Sequence, residues 1–219
     1  MTRAVTSNTD SSIAYRKLRE MILRTELRPG AVLVERELMA LLSVGRTPLR
    51  DALHLLAHEG LVDIMPRRGT SVSQVTLSDL QQIFELRAGI ERIVAHGAVE
   101  RVTEDDLAEF QRLLGRARAT PGSISDVDID GEFHQLLLRI AGNRYLAETY
   151  RRLSDASLRL LYLTNCGMEP IDEQVRTLEA AATALRERDG EALADVLVDH
   201  VRAFRDRVSG SIFSGERVA

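Results

Sequence analysis

Only three residues, Ser43-Val44-Gly45, separate two runs of helical apolar spacing: Glu35–Leu42, and a second that begins at Arg46 and closes at Gly60. So short a break cannot hold two helices in line or let them drift apart; it makes them cross through a tight turn. Gly45 takes the N-cap position of the second run. Pro48 falls in its first turn, where the missing N–H costs nothing, and Gly60 closes it as a C-cap. Leu49, Leu53, Leu56 and Ala57 then share a buried face, with Arg46, Thr47 and Arg50 at the start of the helix. Arginines ahead of an apolar stripe suit the major groove of DNA.

The flanking segments complete a small domain. Residues 1–11 are rich in Thr, Ser and Asn and carry no apolar period, so they read as a disordered arm. Ser12 caps a predicted helix over Ile13–Glu26, whose stripe of Ile13, Leu18, Met21, Ile22 and Leu27 stops at Arg28-Pro29-Gly30. Beyond Gly60, Leu61–Met65 and Ser71–Val75 read as two short strands around Pro66-Arg67-Arg68-Gly69-Thr70, a winged hairpin whose tip offers Arg67 and Arg68 to phosphate or the minor groove. Charge separates this part from the rest. Residues 1–76 hold 11 basic and 8 acidic side chains, whereas the remainder holds 18 and 25. A basic head on an acidic body fits a chain that meets DNA at one end only.

From residue 77 the pattern becomes six helices with no strand signal. Ser78 caps the first, which carries Leu80, Ile83, Phe84, Leu86, Ile90, Ile93, Val94 and Ala98 to about Val102. Thr103-Glu104-Asp105-Asp106 starts the second, because acidic groups suit the positive end of a helix dipole, and Pro121-Gly122-Ser123 ends it. The others are expected over Val127–Ala141, Arg144–Asn165, Glu169–Glu187 and Gly190–Ser209. The fold class is therefore mostly α: a winged helix-turn-helix over 1–76 and an all-α helical bundle over 77–219.

Five pieces in the head carry a specific resemblance. Leu27-Arg28-Pro29-Gly30, Glu35-Arg36-Glu37-Leu38, Arg46-Thr47-Pro48-Leu49-Arg50-Asp51-Ala52-Leu53, Glu59-Gly60-Leu61-Val62 and Arg68-Gly69 stand in the order and spacing of the GntR family of bacterial transcription regulators. The body resembles the FCD ligand-binding domain of the FadR branch, in its six-helix, VanR-like version. That match rests on Glu85-Leu86-Arg87 with Glu91, Asp130-Gly131-Glu132-Phe133-His134, Ala141-Gly142-Asn143, and Asp189 leading to His200. The resemblance implies DNA contacts from Arg36, Arg46, Thr47 and Arg50 beside the wing arginines Arg67 and Arg68. It departs from the family at Gly45, where Ser is usual, and this implies a small effect on specificity.

The same resemblance implies a divalent metal, most often zinc, on Asp130, His134 and His200, with an organic acid effector near Arg87 and Asn143. Asp130 and His134 are four apart and share a helical face. The position of the family's middle histidine holds Leu178, which has no lone pair to give, so three protein ligands remain. The alternative without metal is a hydrogen-bonded Asp-His pocket that takes the acid directly, and Arg87 serves equally as a clamp for that acid or as a structural partner of Glu91.

Other patterns lead elsewhere and fail on one residue each. His54 and His58 sit four apart, but no acidic or cysteine partner stands at ligand spacing, and they read as surface or partly packed histidines. Asp126-Val127-Asp128-Ile129-Asp130-Gly131 imitates a calcium loop, yet the twelfth position is Leu137 where a bidentate Glu is needed. Cys166 is the single cysteine, so no internal disulfide forms and a reducing compartment is expected. No apolar run is long enough to span a bilayer and the first ten residues lack the apolar core of a signal peptide, which points to the cytoplasm.

The expectation is a non-enzymatic homodimeric regulator, a repressor, that reads palindromic double-stranded DNA and answers to a small carboxylate. The alternatives are a metal-dependent helical-bundle enzyme, or a ligand-sensing dimerisation module with a degenerate head. A ferritin-like di-metal enzyme needs Glu-x-x-His on two helices, and neither occurs.

Overall fold

The computed structural model describes residues 9–76, 78–119, 126–167 and 169–213. The elements run α1 (Asp10–Leu23), α2 (Glu35–Leu42), α3 (Arg46–His58), β1 (Val62–Met65), β2 (Gly69–Val72), α4 (Asp79–Arg101), α5 (Glu104–Ala119), α6 (Asp126–Ala141), α7 (Arg144–Thr164), α8 (Ile171–Glu187) and α9 (Gly190–Phe213). Two compact units divide between Leu77 and Ser78, with the stretch Asp155–Leu163 of α7 grouped with the first.

In the first unit α1, α2 and α3 enclose a core of Leu18, Ile22, Leu38, Leu42, Leu49, Leu53 and Leu56. The turn between α2 and α3 is as tight as its length requires: Ser43 takes a left-handed conformation at φ 55°, and the Val44 N–H reaches back to the Met39 carbonyl at 3.2 Å. Strands β1 and β2 pair antiparallel from Val62 opposite Val72 to Met65 opposite Gly69, and Val32 adds a single bridge to Ser71. The hairpin turns at Pro66-Arg67, closed by the Arg68 N–H on the Met65 carbonyl at 3.1 Å. Proline second and a positive φ of 65° third is the type II pattern, here met by an arginine where glycine is usual.

Several boundaries differ from expectation. Helix α1 starts three residues earlier, because the Thr9 side chain, not Ser12, accepts the capping bond, and Ser12 Oγ itself donates to the Thr9 carbonyl at 2.8 Å. Asp10 and Ser11 are therefore helical, while the rest of the expected arm, 1–8, lies outside the described residues. Helix α1 also ends sooner, since Thr25 turns left-handed at φ 57°. Strand β2 begins at Gly69, two residues earlier than expected, and the three residues Pro66-Arg67-Arg68 join it to β1. Ser78 precedes α4 without a side-chain cap bond. Helix α8 waits for Pro170, which serves as its N-cap, and α9 passes through Ser209 and Gly210 to Phe213. The expected break at Pro121-Gly122-Ser123 lies outside the described residues.

The second unit buries a core along α4, α5, α6, α8 and α9, in which Val94, Phe110, Phe133, Leu137, Leu185, Leu193 and Leu197 meet. Phe110 and Phe133 pack edge to face with centroids 5.8 Å apart. Two residues of the predicted α4 stripe, Leu86 and Ile93, face outward instead, because α4 is apolar on more than one side. Helix α5 opens on a reciprocal cap. Thr103 N–H and Oγ1–H both donate to Asp106 Oδ2, at 3.0 and 2.6 Å, and the Asp106 N–H returns to Thr103 Oγ1 at 3.3 Å. Arg139 of α6 binds the other carboxylate oxygen at 2.9 Å and so ties two helices through one side chain.

Asp106→Ala removes the cap and that tie together. Urea unfolding is expected to show a loss of about 1–2 kcal/mol, against near-neutrality for Asp105→Ala, whose side chain is exposed in the same turn. Equal stability of the two variants would refute the cap.

Candidate DNA interface and metal centre

Helix α3 positions the first candidate site. Leu49, Ala52, Leu53 and Leu56 are buried on one face, and this turns Arg46, Thr47, Arg50 and Asp51 outward. Gly45 is the N-cap, extended at ψ 170°, and forms no side-chain cap bond. Arg36 on α2 and Arg67 and Arg68 on the wing are exposed as well. All six sequence-predicted DNA residues therefore lie at the surface of the first unit.

The pattern of the sequence did not show Glu35. Its carboxylate, at the first position of α2, takes the Arg50 Nε–H at 2.7 Å and stands 3.6 Å from Arg46 Nε. Hydrogen bonding from Arg50 holds Glu35 below the usual carboxylate range. The bond uses Arg50 Nε and leaves the two terminal nitrogens outside it, so the guanidinium is aimed without being consumed. His54 and His58 are both exposed on the same helix.

The second site is buried in the helical body. Asp130 and His134 come from one face of α6 and His200 from α9, and a donor atom from each lies within 4.8 Å of the others. His200 Nε2 meets Asp130 Oδ1 at 2.8 Å, and its Nδ1 faces Glu169 Oε2 at 3.2 Å. His134 Nδ1 contacts the Asp130 carbonyl at 2.9 Å, leaving His134 Nε2 buried without a hydrogen-bond partner. His134 thus has Nδ1 steadied by an oxygen and Nε2 outside any hydrogen bond among the described residues, the arrangement by which proteins orient a histidine toward a metal, whereas His200 turns Nε2 to Asp130 within the set and holds Nδ1 beside Glu169.

Donors about 2.0–2.1 Å from a tetrahedral zinc-sized ion lie about 3.4 Å apart, so side-chain movements of about an ångström close the set. The residues fit a divalent ion. The calcium-loop alternative does not survive, because Asp126–Asp130 is helical.

Around this set runs a chain of buried polar groups. Arg87 donates to the Tyr150 hydroxyl at 2.9 Å, Tyr150 donates to Glu91 Oε1 at 3.0 Å, and Glu91 lies 3.5 Å from His134 Nε2. Arg87 also stands 3.6 Å from Glu91, with its Nε buried and without a hydrogen-bond partner. Arg207 reaches Glu169 from α9 at 3.4 Å. Asn143 does not join this group: it is exposed, and its side chain caps α7 by accepting from the Tyr145 and Leu146 N–H groups. Tyr150, Glu169 and Arg207 carried no motif that sequence reasoning could have used.

The charges in the pocket shift one another. Burial opposes the ionised Asp130, yet His134, His200 and Arg87 override it and hold the carboxylate well below its ordinary range. Burial likewise opposes the His200 imidazolium, and the Asp130 and Glu169 carboxylates overcome it, raising the group from 6.5 to about 9. Tyr150 is pushed up by burial and stays a neutral phenol. Beside these residues a cavity of about 10 Å³ is lined by Asp130, Phe133, Gln174, Leu178 and His200. That is room for about one water or ion.

A model of the bacterial regulatory proteins of the gntR family matches residues 11–72, and a model of the FCD domain matches residues 82–203. The chain belongs to the GntR family, in its FCD-containing group. It is similar over 197 residues, at 29% identity, to the HTH-type transcriptional repressor RspR of Escherichia coli K12, covering 89% of this chain and 86% of the relative. The Nta operon transcriptional regulator of Aminobacter aminovorans is 33% identical over 138 residues, 62% of this chain and 65% of that protein. Among solved structures, E. coli McbR/YncC superposes with a TM-score of 0.78 at 21% identity over 94% of this chain and all of that one. This GntR-family chain is thus a transcriptional regulator with a winged head and an FCD body, and no helix among its described residues is long and apolar enough to cross a membrane.

The raised His200 group sets a pH window for the ion-free protein. Stability from its contacts is fully present below pH 6.5, the unfolded value, and is lost as the pH rises toward about 9. Thermal melting in chelator should fall across that window for the wild type and less for His200→Asn; parallel curves would remove the assignment.

Proposed function

We propose that this regulator represses transcription as a homodimer on palindromic operator DNA, under the control of a small carboxylate effector sensed in the FCD body. The observation that carries the DNA reading is the outward row of Arg46, Thr47 and Arg50 on the second helix of a tight helix-turn-helix, with Arg36 and the wing arginines on the same unit. In this reading Arg46 and Arg50 reach base edges, where a two-donor grip on guanine discriminates by about 1–3 kcal/mol, and Arg36, Arg67 and Arg68 bind phosphate or the minor groove. Repression follows the named function of RspR. Leu86 and Ile93, exposed and seven apart on α4, support the dimer, because a soluble chain covers such a pair best with its own copy.

In the body Asp130, His134 and His200 hold one divalent ion, zinc by its preference for imidazole and carboxylate. When bound, such an ion supplies a positive centre for the effector's carboxylate. Arg87 stands ready as the second positive group, its Nε buried and not hydrogen-bonded. The present cavity of about 10 Å³ is too small for an organic acid, so the acid selects a more open arrangement of the body. Its hold on DNA shifts only by the difference in its affinity for the two arrangements.

A mobility-shift titration with the protein's own promoter region tests the head. Arg46→Ala with Arg50→Ala is expected to weaken binding at least about thirtyfold, and an unchanged affinity leaves α3 without the proposed role. Elemental analysis of protein purified without chelator tests the body. The wild type is expected to retain a divalent metal that His134→Ala largely loses, and equal content in the two defeats the site.

A further inference from the structure

We infer that Gln174 supplies a fourth protein ligand, a neutral amide oxygen, to the divalent cation held by Asp130, His134 and His200. The inference rests on the metal reading above and concerns what takes the place of the histidine absent at position 178.

Leu178 is buried and lines the cavity beside Asp130 and His200, but offers it only methyl groups. Gln174 lies one turn earlier on α8, on the same helical face, and lines the same cavity. Its side chain is 97% buried, at 3% exposure. The Nε2 group donates to the Glu169 carbonyl at 3.0 Å, and that bond decides which way round the amide sits. With the nitrogen committed, Oε1 is left buried and without a hydrogen-bond partner among the described residues. An amide oxygen in such a place calls for a hydrogen-bond donor or a cation.

The neighbouring atoms choose between these. Asp130 lines the same void with a carboxylate, Thr177 with a hydroxyl and His200 with its imidazole, and His134 stands in the same group of potential ligands with Nε2 buried and outside any hydrogen bond among the described residues. Asp130 and Gln174 both line a space for about one ion or water, and a cation there answers the carboxylate and the amide oxygen together. Two imidazole nitrogens, one carboxylate and one amide oxygen form a harder set than three histidines and one aspartate. The site therefore accepts manganese-class ions more readily than a three-histidine site would, while still accepting zinc. The bond from Gln174 to Glu169 adds a link, because Glu169 is also the residue that faces His200 Nδ1. One loop segment steadies two of the four ligands.

The test uses full-length protein stripped of metal and titrated with Zn²⁺ and with Co²⁺, whose visible spectrum reports the coordination sphere. Gln174→Ala is expected to weaken Zn²⁺ binding by about 10–100-fold and to alter the Co²⁺ spectrum. Gln174→Glu keeps an oxygen donor while losing the Nε2 bond, and is expected to bind at least as tightly as the wild type. Leu178→His added to Gln174→Ala is expected to recover affinity.

A Gln174→Ala variant that matches the wild type in affinity and spectrum overturns the inference and leaves the three-residue metal site standing. If Gln174→Glu is as damaging as Gln174→Ala, the residue acts through its bond to Glu169 and is not a ligand. Absence of Zn²⁺ binding by the wild type overturns the site and the inference together.

Discussion

A half-buried carboxylate organises the body of this protein. Asp130 meets His200 across two helices, and around that contact lie Arg87, Glu91, Tyr150, His134, Glu169 and Arg207. An isolated charge there would be prohibitively costly to desolvate, so each member needs its neighbours. Without an ion the balance is struck by a proton: His200 stays charged well above the ordinary imidazole range, bonded to the Asp130 carboxylate and 3.2 Å from that of Glu169. In the proposed metal-bound form a divalent ion takes over the role of that proton, so ion uptake and proton release become two faces of one exchange.

Most of the architecture was legible because it depends on local chemistry. Pro48 after Gly45, the Gly60 stop and the acidic start at Glu104 each act within one helical turn, and the structure places α2, α3 and α5 where those residues indicate. Asp130 and His134 were legible for the same reason, since i and i+4 share a face in any α-helix. Errors came where two residues competed for one local job. Thr9 and Ser12 can both cap a helix, and Asp10 in the first turn favours the earlier start. Asn143 was read as an effector contact, yet the turn before α7 uses its side chain as a cap.

What stayed hidden depends on distance along the chain. Glu35 and Arg50 are fifteen residues apart and meet only because the turn at Ser43 folds α2 back against α3. Glu169 and Tyr150 lie in segments with no recognisable spacing to His200 or Arg87, and only the packing of α4, α6, α7 and α9 gathers them. Leu178 could be read as the loss of a ligand. That its neighbour Gln174 carries a buried, unanswered oxygen could not be, because the fact lies in the direction of one amide.

The Glu35 carboxylate between Arg46 and Arg50 bears on time more than on strength. A regulator spends most of its life on DNA of the wrong sequence, held by charge alone, with a residence set by how many phosphates its cations neutralise. In the proposed reading a fixed negative group beside Arg46 and Arg50 trims that anonymous pull, while its bond to Arg50 Nε leaves the terminal nitrogens for a guanine edge. On that proposal the head lets go of the wrong places quickly, and so arrives at the right one sooner.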